Sequence, residues 1–206
     1  IFQNINIYDN EILFLTNKFL SPIAGTAPAF YRYYITDTIT LKDTRCIRLF
    51  FEPRNPSDFL FHGDLYVTLD STFAVRSIDI GINKNINIDW VQGISVKQDF
   101  DNFGKNFWLL SKEDISIDVG LVKNSPGLYV QRTVSYKDYI VNVPVADSVF
   151  TGPIVSEITD PSESSPEFWE ARRQIPLNST ERNLNSAVDS LKKVSSFRNQ
   201  VGFVML

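Results

Sequence analysis

Residues 60–82 read LFHGDLYVTLDSTFAVRSIDIGI, and this stretch decides the fold. Leu65, Val67 and Leu69 fall on one face of an extended chain, and Ile78, Ile80 and Ile82 keep step in the run that follows. Asp70-Ser71-Thr72 lies between them, with side chains that hydrogen-bond their own backbone and so favour a turn. Two alternating runs joined by so short a link pair antiparallel, since a parallel pair needs a long crossover.

The same grammar extends in both directions. Upstream, 30–39 alternates Tyr31, Tyr33 and Ile35 with Arg32, Tyr34 and Thr36; a turn at Lys42-Asp43 leads into 45–52, where Ile47, Leu49 and Phe51 share a face. Pro53, Asn55, Pro56 and Ser57 break the chain before residue 60. Downstream, 83–89 carries Asn83, Asn85, Asn87 and Asp89 and reads as a loop. The stretches 93–103, 107–119 and 128–143 then complete the series, with turns at Gly104 and Asn124-Ser125-Pro126-Gly127. In 107–119, Phe107, Leu109, Ile115, Ile117 and Val119 keep one parity. The pattern predicts an α+β domain: a strongly curved antiparallel meander of about seven strands in sequence order, a half-barrel, with C-terminal helices.

Several strands are apolar on both faces at their middles, as at Phe50-Phe51, Phe59-Leu60-Phe61 and Trp108-Leu109-Leu110. A sheet with one solvated face is polar on that side. A second apolar face needs cover from helix, sheet, ligand or partner. Phe50, Phe61, Trp108 and Leu110 are therefore the candidate lining of an apolar groove.

The character of the chain changes after residue 150. The stretch 151–166 holds three prolines and four serines among acidic residues and reads as a linker. Ser164 and Glu167 have capping-box spacing with Pro166 in the first turn, which predicts a short helix over 167–173. A second helix is expected after Asn178, with Glu181 three residues on; Leu184, Val188, Leu191 and Val194 form a narrow stripe ending near Phe197. The division is thus a sheet domain over 1–150, a linker over 151–166 and a helical tail over 167–206. That tail is expected to bridge to a further C-terminal region, because the apolar ending Val201-Gly202-Phe203-Val204-Met205-Leu206 looks like an element cut off as it begins. The opening 28 residues carry no clear period, and 9–19 fits helix or strand.

Composition narrows the function classes. A chain of 206 residues buries roughly 70% of its unfolded surface and needs neither metal nor disulfide to fold. Sixteen Phe, eight Tyr and three Trp suit a broad sheet. A net charge of -4 argues against nucleic acid as a partner. Cys46 is the only cysteine and sits in an apolar strand, where a small buried side chain fits best. His62 is the only histidine; with Asp58 and Asp64 near it in sequence it is the one opening for acid–base or metal chemistry, although only Asp64 can share its strand face. Asp114, Ser116 and Asp118 share the polar face of their strand, and Asp99 and Asp101 share another, without the spacing of a calcium loop. Phosphate loops, nucleophile elbows and paired-cysteine metal sites are absent from the sequence. Asn178-Ser179-Thr180 has the form of a glycosylation acceptor, but helix capping suits it better. No catalytic residue, cofactor or metal site is predicted, and a hydrolase resting on His62 is the least supported class.

The chain resembles the middle segment of large Bacteroidetes outer-membrane proteins. The likeness lies in Asn6-Ile7-Tyr8-Asp9-Asn10, Phe19-Leu20-Ser21-Pro22-Ile23-Ala24, Phe30-Tyr31-Arg32-Tyr33-Tyr34, residues 168–178 and Val188-Asp189-Ser190-Leu191. Such proteins carry an N-terminal carboxypeptidase-regulatory-like domain, a segment of unassigned function and a C-terminal β-barrel. The resemblance implies a cell-envelope location on the periplasmic side of the outer membrane and partners within the same polypeptide. No residue carries over the collagen-binding label of some members. At the level of fold, residues 44–58 and 63–79 are similar to periplasmic lipoprotein carriers, half-barrels with an apolar concave face. Two functions follow as expectations: a non-enzymatic connector with a filled apolar face, or a module that binds a lipid, acyl chain or extended peptide there.

Overall fold

The computed structural model describes residues 5–14, 16–84, 86, 88, 91–104, 107–120, 128–147, 151 and 166–192. Seven strands form one antiparallel sheet in strict sequence order. They are β3 (Tyr31–Leu41), β4 (Thr44–Pro53), β5 (Phe61–Thr68), β6 (Val75–Ile82), β7 (Val91–Asn102), β8 (Trp108–Val119) and β9 (Leu128–Ser135). Before them come a small hairpin, β1 (Glu11–Phe14) with β2 (Asn17–Leu20), and a single helical turn, α1 (Ala27–Phe30). The meander is mostly β, open, with β3 and β9 as its ends.

The turns fall where the residues demand them. Lys42 and Asp43 both have positive φ, 41° and 63°, which gives the two-residue link between β3 and β4. Asp70 accepts hydrogen bonds from the Thr72 backbone N–H and from the Thr68 and Thr72 hydroxyls, which closes the β5–β6 hairpin. The last strand stops at Ser135, short of the 143 expected from its apolar run. Beyond it Tyr136 N–H still donates to the Ser111 carbonyl, Asp138 has a positive φ of 56°, and Tyr139 donates from its hydroxyl to the Leu110 carbonyl at 2.6 Å.

Four register shifts interrupt the ladders, leaving Thr36, Arg76, Gln92 and Ser111 as extra residues. A bulge flips the parity of everything beyond it. That corrects the reading of residues 107–119. Ser111 is unpaired between Asp99–Lys112 and Phe100–Leu110, so Trp108 and Leu110 reach the same face as Ile115 and Ile117. Leu109, assigned with Ile115 by simple alternation, faces the other way.

One sheet face is therefore apolar and the other polar. The polar face carries the row Asp64, Asp79, Lys97, Asp114 and Thr133 across five strands. Arg48 grips Asp64 through two hydrogen bonds of 2.9 and 2.8 Å, Lys97 pairs Asp79 at 2.9 Å, and Lys112 pairs Asp114. The doubly apolar sheet expected from the sequence is not present; this is a sheet with one solvated side.

The apolar face is covered from the N-terminal side of the sequence. Ile5, Ile7, Ile12, Phe14, Phe19, Ala24 and Ala27 are buried with Phe51, Phe61, Leu65, Ile78, Ile80, Val96 and Ile115 in one core. Phe19 stacks on Phe61 with ring centroids 4.7 Å apart and meets Phe59 edge-on at 5.9 Å. The stretch left unassigned by its lack of period is the lid of the core. Ile86 and Ile88 are also buried, so the segment read as a polar loop lends two side chains to the interior.

Contacts divide the chain at Val141, giving a first unit Ile1–Val141 and a second unit Asn142–Leu206. The second holds α2 (Pro166–Arg172) and α3 (Ser179–Lys192). The cap expected at α3 is present and reciprocal: Asn178 N–H donates to Glu181 Oε2 and Glu181 N–H to Asn178 Oδ1, both at 2.8 Å. Phe168, Trp169, Ile175 and Leu184 are exposed. Residues 152–165, Ser164 of the expected first cap among them, lie outside the described residues, as do Val194, Phe197 and the apolar ending 201–206.

Candidate functional site

The four groove residues do not come together on an open surface. Phe61 is fully buried under Phe19. Trp108 and Leu110 pack against the same core, partly buried, near its β7–β8 end. Phe50 lies on the opposite, polar face, where its ring tilts against Tyr34 at 6.2 Å. Three of the four line the apolar face, and the chain's own N-terminal segment fills that face.

The segment, here the strap, is tied by polar contacts as well as packing. Tyr31 donates from its hydroxyl to the Leu20 carbonyl at 2.6 Å and accepts from the Phe61 N–H at 3.2 Å. Tyr33 donates to the Pro22 carbonyl at 2.6 Å, and burial pushes its phenol up to about 12. At the other end, the Tyr8 hydroxyl accepts from the Val75 N–H at 3.2 Å while its ring meets Phe100 edge-on at 5.9 Å.

A polar cluster sits inside this core. Gln98 on β7 and Glu113 on β8 face each other across the ladder, and both are about 1% exposed. Gln98 Nε2 donates to Glu113 Oε2 at 2.6 Å and to the Ile5 carbonyl at 2.8 Å. Arg132 on β9 brings Nη1 to 3.8 Å from Glu113 Oε1. Burial pushes the Glu113 carboxyl above its ordinary value, against the hydrogen bond from Gln98 and the Arg132 charge. Sequence reading passed over this pair. The signal was there: Glu113 shares the parity of Ile115 and Ile117, and Gln98 that of Ile94 and Val96, so a carboxylate and an amide stood in apolar registers.

Arg76, the bulged residue of β6, is buried and hydrogen-bonds the Phe100 carbonyl; its other nitrogen lies 3.0 Å from Asp101, and its guanidinium stands 5.9 Å from the Trp108 ring centroid. A shallow cavity of about 510 Å³ opens among Ile82, Lys84, Ile86, Ile88, Val91 and Asp118.

The remaining sequence candidates are spread over separate local contacts. His62 is half-buried on the polar face, its Nδ1 lacks a hydrogen-bond partner, and desolvation lowers its pKa against the pull of Glu52. Asp64 shares that face but is held by Arg48, while Asp58 is bonded to Asn55. Cys46 is buried beside Thr68, and burial raises its thiol pKa. Among the described residues, no group of three or more His, Cys, Asp or Glu converges as a metal site would require.

Fold and site together define a plugged antiparallel sheet: a meander whose apolar face is closed by the segment preceding it. The chain belongs to DUF5686, a family of unknown function, which its residues 1–139 match. The match ends at Tyr139, whose hydroxyl closes the β8–β9 end of the sheet, two residues before the contact boundary of the first unit. Comparison with curated proteins and with solved structures gave no match.

Proposed function

We propose that the protein is a non-enzymatic connector and interaction module of a larger outer-membrane protein. On this reading it lies in the cell envelope of a Bacteroidetes bacterium, on the periplasmic side, between a carboxypeptidase-regulatory-like domain and a C-terminal β-barrel. Its partners are those other domains. The observation that carries the reading is the filled apolar face: Ile7, Phe19 and Phe61, each fully buried, occupy the space a ligand would need. The bulges at Thr36, Arg76, Gln92 and Ser111 support a sheet bent towards a half-barrel around its strap, because a bulge bends its strand. Among the described residues no helix is long and apolar enough to cross a membrane, which leaves strands of a barrel untouched.

The second reading is capture of a lipid, acyl chain or extended peptide. The cavity at Ile82, Ile86, Ile88 and Val91 favours it, with Lys84 at the rim to meet a carboxylate. Native mass spectrometry of the purified protein, followed by titration with a fluorescent fatty acid, separates the two. The connector predicts a bare mass and no saturable binding. A co-purified acyl species, or binding that Ile88→Lys abolishes, moves the assignment to the carrier. Fractionation of the native full-length protein tests the compartment, and a cytosolic location would defeat both.

A further inference from the structure

The Gln98–Glu113 cluster leaves buried acceptors without donors. Both protons of the Gln98 amide are used, one on Glu113 Oε2 and one on the Ile5 carbonyl. The Ile5 backbone N–H in turn donates to the Glu113 carboxyl. Two acceptors remain sealed from water without a partner, Gln98 Oε1 and Glu113 Oε1. Arg132 Nη1, at 3.8 Å from Glu113 Oε1, is beyond hydrogen-bond reach of that oxygen. A buried acceptor without a donor costs about 1–3 kcal/mol, and more when it is charged. A proton on Glu113 removes the buried charge and turns one of the orphan acceptors into a donor.

We propose that Glu113 is a proton-operated latch that holds the first residues of the strap, at Ile5, onto β7 and β8. Protonated, the carboxyl carries no buried charge and the strap end closes. Ionised, it leaves a charge in the core whose Oε1 has Arg132 at 3.8 Å but no hydrogen bond, and the end from Ile5 to Tyr8 opens more often. The inference is independent of the connector reading, since it concerns how the strap closes and not what the module joins.

The groups that face Glu113 can be named from each packed element. β7 offers Gln98, which does not titrate. β8 offers Asp114, whose charge disfavours ionisation, and β9 offers Arg132, whose charge favours it. Beyond β9, Tyr136 feels the Glu113 charge as a raised phenol pKa, after the larger effect of burial. The strap offers the neutral Ile5 backbone. With desolvation the largest influence, the folded-state value stands above 4.5. The sign follows: the folded protein binds the proton more tightly than the unfolded chain. The latch contribution is complete below the unfolded value and is lost as pH rises through the folded one.

The test uses the whole chain, with carboxyl-carbon NMR of Glu113 and hydrogen exchange of the Ile7 and Tyr8 amides from about pH 4 to about pH 8. After correction for intrinsic rates, protection of these amides should fall roughly tenfold as Glu113 ionises, with the same midpoint. Glu113→Gln, which carries the extra donor at every pH, should stay protected throughout. Arg132→Gln should move the midpoint upward, a shift that a merely structural arginine would not cause. Titration of Glu113 at or below 4.5, or wild-type protection that ignores pH, would overturn the latch. So would a Glu113→Gln protein that keeps the wild-type pH dependence; if that variant does not fold, the wild-type titration decides alone.

Discussion

Gly63 shows how much one residue of the sheet can matter. Its φ is +144°, and a Cβ built there would lie 2.1 Å from the Asp79 carbonyl oxygen of the neighbouring strand. No flexible side chain can give way, because the obstacle is backbone. Gly63→Ala should therefore cost about 3 kcal/mol, read as a lower denaturant midpoint at unchanged m-value. Equal stability would mean that β5 and β6 do not approach as described. Gly63 is surrounded in sequence by His62 and Asp64, the pair that looked most chemical; the structure gives them an unpartnered ring nitrogen and a clamp on Arg48. The residues that do stand out, Glu113 and Gln98, were legible as polar intruders in apolar registers. The Gln98 hydrogen bond to Ile5 was not legible, because it joins residues 93 apart in the chain.

At the scale of elements, local signals were strong wherever a turn residue bounded a run. The Lys42-Asp43 and Asp70-Ser71-Thr72 turns, the order of the seven strands and the Asn178 cap all follow from short-range chemistry, although the last strand ends at Ser135 and not at 143. Two kinds of feature were hidden. The strap strands β1 and β2 have four residues each, too short for a period to show, and they exist because the sheet needs a lid. The bulges were hidden too: a register shift depends on the partner strand, so Leu109 was grouped with Ile115 and Ile117 from its own strand alone. A contrast of two phenylalanines tests the outcome. Phe61→Ala removes the ring under Phe19 and should cost about 4 kcal/mol, whereas Phe50→Ala on the polar face should cost about 1 kcal/mol. Equal losses in urea unfolding would show both faces to be core, as the doubly apolar reading had it.

For the whole molecule, the family match over 1–139 and the contact boundary at Val141 describe one unit that includes its own lid. Among the described residues the last buried member of its core is Ile117, with Val119 packed against it, and Tyr139 is tied to Leu110. A chain ending after Thr159 should consequently keep a cooperative melt within a few degrees of the full chain, followed by far-ultraviolet circular dichroism. A drop of many degrees would make the helical tail part of the sheet's core.

The central claim is that the apolar face is closed from within, by residues 5–24. Hydrogen exchange of the intact protein by mass spectrometry, peptide by peptide near pH 5, addresses it directly. The amides of Ser21, Ala24 and Ala27, bonded to the carbonyls of Asn10, Ser21 and Ala24, should exchange in step with those of β5 and β6, as parts of one cooperative unit. Exchange of that segment at the rate of an unstructured peptide, with the sheet still protected, would mean that the face is open and that a ligand or partner covers it instead.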